Sequence, residues 1–373
     1  MFGIKLERSP APLWMRAAIP FIAILITFVL VSVLVIAAGA NPFSAFVELM
    51  ITPLTKTTTR WDILVTATPL LLTGVAVTLA FACGYYNIGA EGQLYAGAIA
   101  AAWMGTLVTN LPPWLAIPLM LLAGFIAGAL WALLPALLKV RLKVDEVVTT
   151  LLLNSVMGFI VSALLNGPWR DPKTGWPQSP AIAESAQFPQ IIPRSRVHFG
   201  LIVAIAVALI VWWLLTRTRF GLELRAVGKN REAAQFLGIR VNRMALIAAL
   251  LSGGIAGLAG VSEVAGIQFH LIDSLSANFG YTGIVVATLG ALTVPGAVMG
   301  ALFLALISRG ALAASRTLNV PVYLGDVIES VLLLVMLATL LLDRYRFRRV
   351  TPTIPKNAPV IREPEPSGET GIV

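Results

Sequence analysis

Long apolar runs separated by short charged connections are the feature that most limits what this chain can fold into. Examples are the runs from Ala17 to Ala40, Trp114 to Leu138 and Phe199 to Leu215. A helix of about 20 apolar residues crosses the roughly 30 Å hydrocarbon core of a bilayer. Over the whole chain, 58% of the 373 residues are hydrophobic and only 12% are charged, whereas about a quarter of a soluble domain is charged. We therefore predict an all-α, polytopic integral membrane protein.

Several further segments read as membrane elements, and some of them are interrupted. Apolar crossings are expected at about 63–83, 145–166, 244–265, 301–314 and 325–342. The stretch 84–108 opens with GYYNIGAEGQ, which is too polar and glycine-rich to face lipid, so we interpret it as a broken helix. The stretch 266–283 predicts a re-entrant or partly unwound segment, and 284–292 is short. The expected count is about ten transmembrane helices with discontinuous or re-entrant segments.

The basic residues predict the orientation. If the N-terminus is cytoplasmic, the inside receives three basic residues before the first span, three at 139–143, seven between 217 and 243, and six after 343, and the outside receives eight. This excess agrees with the positive-inside rule. We predict a cytoplasmic N-terminus at 1–16, a transmembrane domain at 17–349 with a cytoplasmic loop at 217–242, and a disordered cytoplasmic tail at 350–373. The net charge of +9 is thus explained by topology, and no nucleic-acid partner is expected.

The residues that usually carry enzymatic or metal chemistry are scarce. The chain has one cysteine, Cys83, and two histidines, His198 and His270, which lie far apart in sequence. Ser252, Ser262 and His270 form no nucleophile motif. We therefore assign no catalytic residue and no metal site.

A charged, alanine-rich stretch, Gly221 to Ile239, lies between two apolar runs and predicts a helix outside the membrane. Its alanines and leucines form an apolar ridge at helical spacing, while Arg225, Lys229 and Glu232 supply polar faces. Gly228 and Gly238 stand where a helix would begin or end, or where another backbone comes close. Two interpretations are open: an amphipathic loop lying on the membrane surface, or a site that an external motor protein would grip.

Polar residues at membrane depth are candidates for substrate contact, because burying them is costly unless they find partners. Asn87, Glu91 and Gln93 in the broken helix could bind hydroxyls or a base edge, and Asn154 could face the same cavity. Alternatively, Glu91 satisfies free backbone N–H groups near the bend, and Asn154 forms a hydrogen bond between packed helices. Tyr281 could stack on a planar base or belong to an interfacial aromatic belt.

Several strings carry a resemblance to a known family. GLELRAVGKNREAAQFLGI at 221–239, followed by SGGIAGLAG at 252–260, is similar to the cytoplasmic coupling segment of permease subunits of ABC importers in the branched-chain amino acid and simple-sugar group. NIGAEGQ at 87–93, EVVTTLLLN at 146–154 and GYTGIVVATLGA at 280–291 resemble the nucleoside branch, whose importers use a basic membrane lipoprotein type binding protein. The likeness extends over nearly the whole chain.

The resemblance implies a subunit of the bacterial cytoplasmic (inner) membrane that works with separate partners. These are ABC ATPase subunits, a second and non-identical permease, and an external substrate-binding lipoprotein or periplasmic protein, in addition to membrane lipid. ATP and Mg²⁺ would bind the ATPases, and this chain contains no GxxxxGK[ST] phosphate loop. The implied ATPase-coupling residues are Glu223, Arg225, Ala226, Gly228, Lys229, Asn230, Glu232, Ala233, Ala234 and Gly238. The implied substrate-pathway residues are Asn87, Glu91, Gln93, Asn154 and Tyr281.

Three alternatives are kept beside nucleoside import. The same machinery could import a simple sugar such as ribose, since both cargoes need hydroxyl-binding groups. An ion-coupled secondary transporter should show two similar halves and a buried acid, and Glu91 is the one candidate for such an acid. An intramembrane enzyme would need a nucleophile with its base, and the sequence supplies no such motif.

Overall fold

A computed structural model describes residues 3–8, 13–321 and 323–350, and within these ranges most of the chain is helical. The helices are α1 (Leu13–Ala37), α2 (Pro42–Met50), α3 (Thr52–Thr55), α4 (Thr57–Ala82), α5 (Ala90–Leu107), α6 (Pro113–Leu142), α7 (Glu146–Asn166), α8 (Gly200–Arg217), α9 (Arg219–Lys229), α10 (Arg231–Phe236), α11 (Val241–Glu263), α12 (Phe279–Leu289), α13 (Val294–Leu318) and α14 (Leu324–Arg344). A 3₁₀ turn covers Glu184–Ala186, and a π-helical turn, Val264–Gln268, extends α11.

Two short strands bring the ends of the described chain together. Strand β1 (Gly3–Arg8) pairs antiparallel with β2 (Tyr345–Val350), with Gly3 opposite Val350. Both ends therefore lie on the same side of the helical domain. The predicted disordered tail at 350–373 falls outside the described residues except for Val350.

The all-α membrane class is confirmed, but the expected count of about ten spans is not. In the described part of the chain, six helices are long and apolar enough to cross a membrane: α4, α6, α7, α8, α11 with its π turn, and α13. The pair formed by α1 and α2–α3, bent by 120°, raises the number to seven if it counts as one span. Helix α5 is rich in small and polar residues and is buried over most of its length, and α12 has only 11 residues.

The core lies where α4, α5, α6 and α11 pack together, and small residues allow very close contact there. A Cβ added to Gly257 of α11 would stand 2.3 Å from the carbonyl oxygen of Gly124 in α6. One added to Gly97 of α5 would stand 2.2 Å from the carbonyl oxygen of Gly257. Since real Cβ atoms do not approach oxygens so closely, only glycine fits at these positions, and the SGGIAGLAG stripe is a packing seam.

The predicted interruptions of the helices are present in the structure. Residues 83–89 are irregular between α4 and α5, and Gly84 adopts a left-handed conformation with φ of +70°. Residues 269–278 are likewise unwound between the π turn and α12. These two irregular segments lead into the N-termini of α5 and α12, which meet inside the protein.

The stretch 221–239 is two helices rather than the single helix expected from its periodicity. The break falls at Asn230, whose backbone is extended and whose side-chain oxygen accepts a hydrogen bond from the Ala233 N–H at 3.0 Å. Asn is a strong N-capping residue, so it begins α10 and ends α9. Gly238, with φ of +82°, follows α10, and Gly228 touches the end of α4: a Cβ there would stand 2.2 Å from the Ala82 carbonyl oxygen.

Candidate functional site

Asn87 is the centre of a buried hydrogen-bond network at the break between α4 and α5. Its side chain is fully buried. The amide nitrogen donates to Gln93 Oε1 at 2.8 Å and to Ser252 Oγ at 2.9 Å. The amide oxygen accepts from the Gly89 N–H at 2.9 Å and from Gln93 Nε2 at 3.1 Å. Both ends of the Asn87 amide are thus satisfied by protein groups, and α5 is tied to α11 through Ser252.

Asn154 links α7 to the same break. Its amide oxygen accepts from the Gly92 N–H at 2.9 Å, and its amide nitrogen donates to the Ile88 carbonyl at 2.9 Å. The Ile88 N–H donates to Thr150 Oγ1 at 3.3 Å. Asn154 and Thr150, one helical turn apart on α7, therefore bind backbone groups that the broken helix leaves without helical partners.

Glu91 joins the N-termini of two helices. Its carboxylate accepts a hydrogen bond from the Gly280 N–H, in the first turn of α12, at 2.7 Å. Gly280 packs directly on Glu91, because a Cβ at Gly280 would stand 2.2 Å from the Glu91 nitrogen. The carboxylate thus satisfies a free backbone N–H, as the capping alternative expected, but the N–H belongs to α12 rather than to the helix that carries Glu91.

Tyr281 lies apart from this network and lines a polar cavity of about 160 Å³ between α12 and α14. Asn278, Thr282, Asp326, Glu329 and Ser330 also line it, with Val285 and Leu333. The Thr282 hydroxyl donates to the Glu329 carboxylate at 2.8 Å. Sequence reasoning missed Asp326 and Glu329, although acidic residues inside an otherwise apolar span are the usual signal of a functional position.

The predicted coupling residues occupy α9, α10 and the ends of these helices. Most of the set is exposed: Arg225, Gly228, Lys229, Asn230, Glu232, Ala233 and Gly238. Glu223 and Ala226 are half-buried, whereas Ala234 is buried against the membrane domain. Two residues outside the predicted set are the most exposed apolar side chains of the loop, Phe236 at 93% and Leu237 at 75%. Their apolar character next to charged neighbours is what could have identified them.

The long connection between α7 and α8 folds over the opposite end of the helices and carries a buried histidine. The Ser179 N–H donates to the Leu271 carbonyl at 2.9 Å, and the Phe188 N–H donates to the Ala265 carbonyl at 2.8 Å. His198, 1% exposed, accepts at Nδ1 from the Gly200 N–H at 3.2 Å. Burial, assisted by the nearby charge of Arg196, lowers the pKa of His198 to about 4. The imidazole is therefore neutral near pH 7.

A helical membrane domain with a buried polar network, broken helices and an exposed charged loop between two spans defines a multi-pass membrane transport protein. More particularly, the chain belongs to the family of permease components of branched-chain amino acid transport systems, whose pattern matches residues 59–338. It is a transport component rather than an enzyme.

Relatives with assigned names extend this comparison. The chain is 33% identical to a glucose ABC transporter permease protein of Haloferax volcanii, over 92% of this chain and 94% of the relative. It is 36% identical to a guanosine ABC transporter permease protein of Bacillus subtilis, over 72% and 77%. It is 31% identical to a nucleoside ABC transporter permease protein of Lactococcus lactis, over 79% and 84%. The predicted membership in the ABC permease family is confirmed.

Proposed function

We propose that this chain is the membrane-spanning permease subunit of an ATP-driven importer of nucleosides in the bacterial cytoplasmic membrane. The names of the guanosine and nucleoside permeases among its relatives support this cargo. Separate ATPase subunits bind ATP and Mg²⁺, an external binding protein delivers the cargo, and a second, non-identical permease completes the pathway. Both termini and the α9–α10 loop are cytoplasmic, and the pairing of β1 with β2 supports placing the termini together.

One observation carries the coupling role: the α9–α10 loop presents Phe236 and Leu237 to solvent beside a row of charged residues. Large exposed apolar side chains with a polar rim are typical of a protein interface. Gly228 seats the loop directly on the end of α4. A displacement of this loop by the ATPases therefore acts on α4 and on the adjoining 83–89 break.

The coupling proposal is tested with Arg225→Glu and Phe236→Ala in the complete transporter. We expect both variants to insert normally, to co-purify poorly with the ATPase subunits and to lose uptake. Lys173→Glu and Trp176→Ala, on the opposite connection, are the matched controls and should keep ATPase binding. Normal ATPase binding and uptake by Arg225→Glu and Phe236→Ala would overturn the assignment.

We also propose that the cavity beside Tyr281 contacts the sugar part of the cargo. The Asp326 and Glu329 carboxylates supply acceptors for hydroxyl hydrogens, and Tyr281 supplies an aromatic face.

The hydrogen bonds of Asn87, Gln93 and Asn154 favour a positioning role for these three residues, with substrate contact still a prediction. Asp326→Asn should raise the KM of uptake, whereas Asp62→Asn, in a separate cavity, should not. If Asp326→Asn has the same KM as Asp62→Asn, the cavity beside Tyr281 does not contact the cargo.

The cargo is tested by uptake of radiolabelled guanosine and uridine into cells that express the complete operon. Unlabelled ribose, glucose and leucine serve as competitors, and ATP depletion is the energetic control. Uptake that requires ATP and resists all three competitors is the expected result.

Glucose import is the second candidate function, because the Haloferax volcanii relative aligns over nearly the whole chain. ATP-dependent uptake of radiolabelled glucose, with no guanosine uptake, would establish it and discard the nucleoside assignment. Accumulation driven by an ion gradient without ATP would overturn both.

A further inference from the structure

A cavity of about 570 Å³ lies at the end of α6, between that helix, α10 and the start of α11. Its lining residues are Lys139, Val140, Lys143, Arg231, Gln235, Ile239, Arg240, Val241 and Asn242. Four of these nine side chains are cationic and none is acidic. The cavity is therefore a concentrated region of positive charge at the edge of the membrane domain.

Little of this charge is neutralised by the protein itself. Lys139 forms an ion pair with Glu146, and among the described residues it is the one lining cation with a carboxylate partner. Lys143, Arg231 and Arg240 are exposed. Through Asn242, the first turn of the 23-residue helix α11 also lines the cavity. The N-cap residue of this helix, Arg240, makes no side-chain capping hydrogen bond. Free N–H groups and the helix dipole reinforce the attraction for an anion.

An apolar surface leads to the mouth of the cavity along α6. Apolar side chains follow one another at intervals of four along this helix and end next to Lys143: exposed Leu122, Ile126, Leu130 and Leu134, half-buried Leu138 and exposed Leu142. Each step of four residues turns the position by about 40°, so the members nearest the cavity, Leu134, Leu138 and Leu142, share a face that is exposed or half-buried. A ligand that matches both features carries a negative headgroup on an acyl chain.

We propose that the cavity binds the headgroup of an anionic phospholipid of the cytoplasmic leaflet. Lys143, Arg231 and Arg240 hold the phosphate, and one acyl chain lies along the apolar side chains of α6 next to the cavity. A free phosphate or an acidic protein loop would bind the cations but would make no contact with these apolar side chains. The proposal rests on the cytoplasmic placement of α9–α10 and is independent of the cargo. A bound lipid would connect α6 to α10 and so stiffen the loop that we assign to ATPase coupling.

The test uses the full-length permease in detergent micelles, titrated with dioleoylphosphatidylglycerol or dioleoylphosphatidylcholine and followed by native mass spectrometry. We expect the wild-type protein to prefer phosphatidylglycerol by about tenfold, since each cation near a membrane surface contributes to binding anionic lipid. Lys143→Gln/Arg240→Gln should lose this preference. Arg141→Gln/Arg243→Gln removes two neighbouring exposed cations that do not line the cavity and should retain it.

Lys143→Arg/Arg240→Lys keeps both charges and should restore the preference, which separates loss of charge from misfolding. Equal selectivity in the cavity variant and in the Arg141/Arg243 control would overturn the proposal. Tight binding of inorganic phosphate without lipid preference would replace it with a free-anion site. Intact lipid preference in the cavity variant, together with lost ATPase co-purification, would assign the cavity to the ATPase instead. None of these outcomes depends on guanosine uptake. The test of the lipid site therefore stands even if the nucleoside assignment is wrong.

Discussion

Glu91 is the residue at which two interrupted helices meet. It stands in the first turn of α5, and its carboxylate accepts the Gly280 N–H of α12. A buried carboxylate that binds a free N–H at a helix N-terminus is stabilised by the helix dipole as well as by the hydrogen bond. One side chain therefore fixes the relative position of α5 and α12.

Removing this acceptor should destabilise the protein more than changing its charge. Glu91→Ala leaves the Gly280 N–H buried without a partner, and we expect a loss of about 1–3 kcal/mol in the free energy of unfolding. Glu91→Gln keeps a carbonyl oxygen in place and should lose less. Thermal unfolding of the purified variants measures both effects, and Glu184→Ala, at an exposed position of the 3₁₀ turn, is the control.

Uptake separates the two interpretations of Glu91. If the carboxylate contacts cargo, Glu91→Gln changes the KM of uptake although the protein remains folded. Unchanged kinetics in Glu91→Gln would leave the linkage of α5 to α12 as its whole role. Equal stability of Glu91→Ala and the wild type would contradict the linkage.

His198 predicts a dependence of stability on acid. Its pKa is about 4 in the folded protein and about 6.5 in the unfolded chain. Between these values the unfolded state binds more protons, so stability is lost as the pH falls from about 6.5 to about 4 and changes no further through this group below that range. The melting temperature of the wild type should fall over this window more steeply than that of His198→Gln. Parallel pH profiles would contradict the prediction.

Residue-level predictions succeeded where the chemistry is local. The crossing expected at about 145–166 begins with Asp145, which is the N-cap of α7 and accepts from the Val147 N–H at 2.8 Å. The partners of Asn87 and Glu91 could not be found in this way. Ser252 and Gly280 are 165 and 189 residues away in sequence, and only tertiary packing brings them together.

At the scale of elements, the seam of small residues in α5, α6 and α11 decides how closely the helices approach. The SGGIAGLAG glycines of α11 form one side of this seam: Gly253, Gly257 and Gly260 each touch backbone of a neighbouring helix. The partners on α6, Gly124 and Gly128, were not predicted. Their spacing marks a small-residue face, but the sequence does not say which helix it meets.

A single methyl group in this seam should be destabilising. Gly257→Ala would place its Cβ 2.3 Å from the Gly124 carbonyl oxygen, which forces α11 and α6 apart. We expect a cost of about 1–3 kcal/mol from overpacking, measured as a lower melting temperature of the purified protein. Gly158→Ala in α7 is a matched helical control, because nothing lies within 4 Å of its added Cβ. The same melting temperature in both variants would contradict the seam.

The single helix expected at 221–239 shows where periodicity misleads. The apolar positions continue across Asn230 at helical spacing, so the pattern alone joins α9 to α10. The competing local signal was Asn230 itself, because asparagine is a preferred N-cap residue and therefore favours the start of a new helix. Its side chain accepts from the Ala233 N–H at 3.0 Å, and the extended backbone at Asn230 separates α9 from α10.

At the scale of the whole molecule, hydrophobic length predicted the membrane class, whereas the orientation inferred from charge stays a prediction. Runs that face lipid must be apolar along their whole length, and so they are visible in the sequence. Helices α5 and α12 are largely buried in protein: α5 carries buried polar residues, and α12 is apolar but has only 11 residues, so a count based on length and hydrophobicity does not register them as spans. The tertiary environment, absent from a sequence, decides this part of the fold.

The predicted orientation can be tested with single cysteines. Native Cys83 is buried and should label poorly, so Cys83→Ser is a suitable background. In it, Trp176→Cys on the α7–α8 connection should react with an impermeant maleimide in intact spheroplasts. Gln235→Cys on α10 should react only after permeabilisation. Labelling in the reverse pattern would contradict the cytoplasmic placement of the coupling loop.

The glycine contacts between α5, α6 and α11 also bear on how the transporter moves. Side chains that can change rotamer act as a compliant layer between helices, but at Gly97, Gly128 and Gly257 backbone lies directly on backbone. Sliding one of these helices past another would open voids along the whole seam. We therefore expect the three helices to keep their relative positions through the transport cycle, while the movement delivered at α9 displaces the peripheral helices α7 and α14.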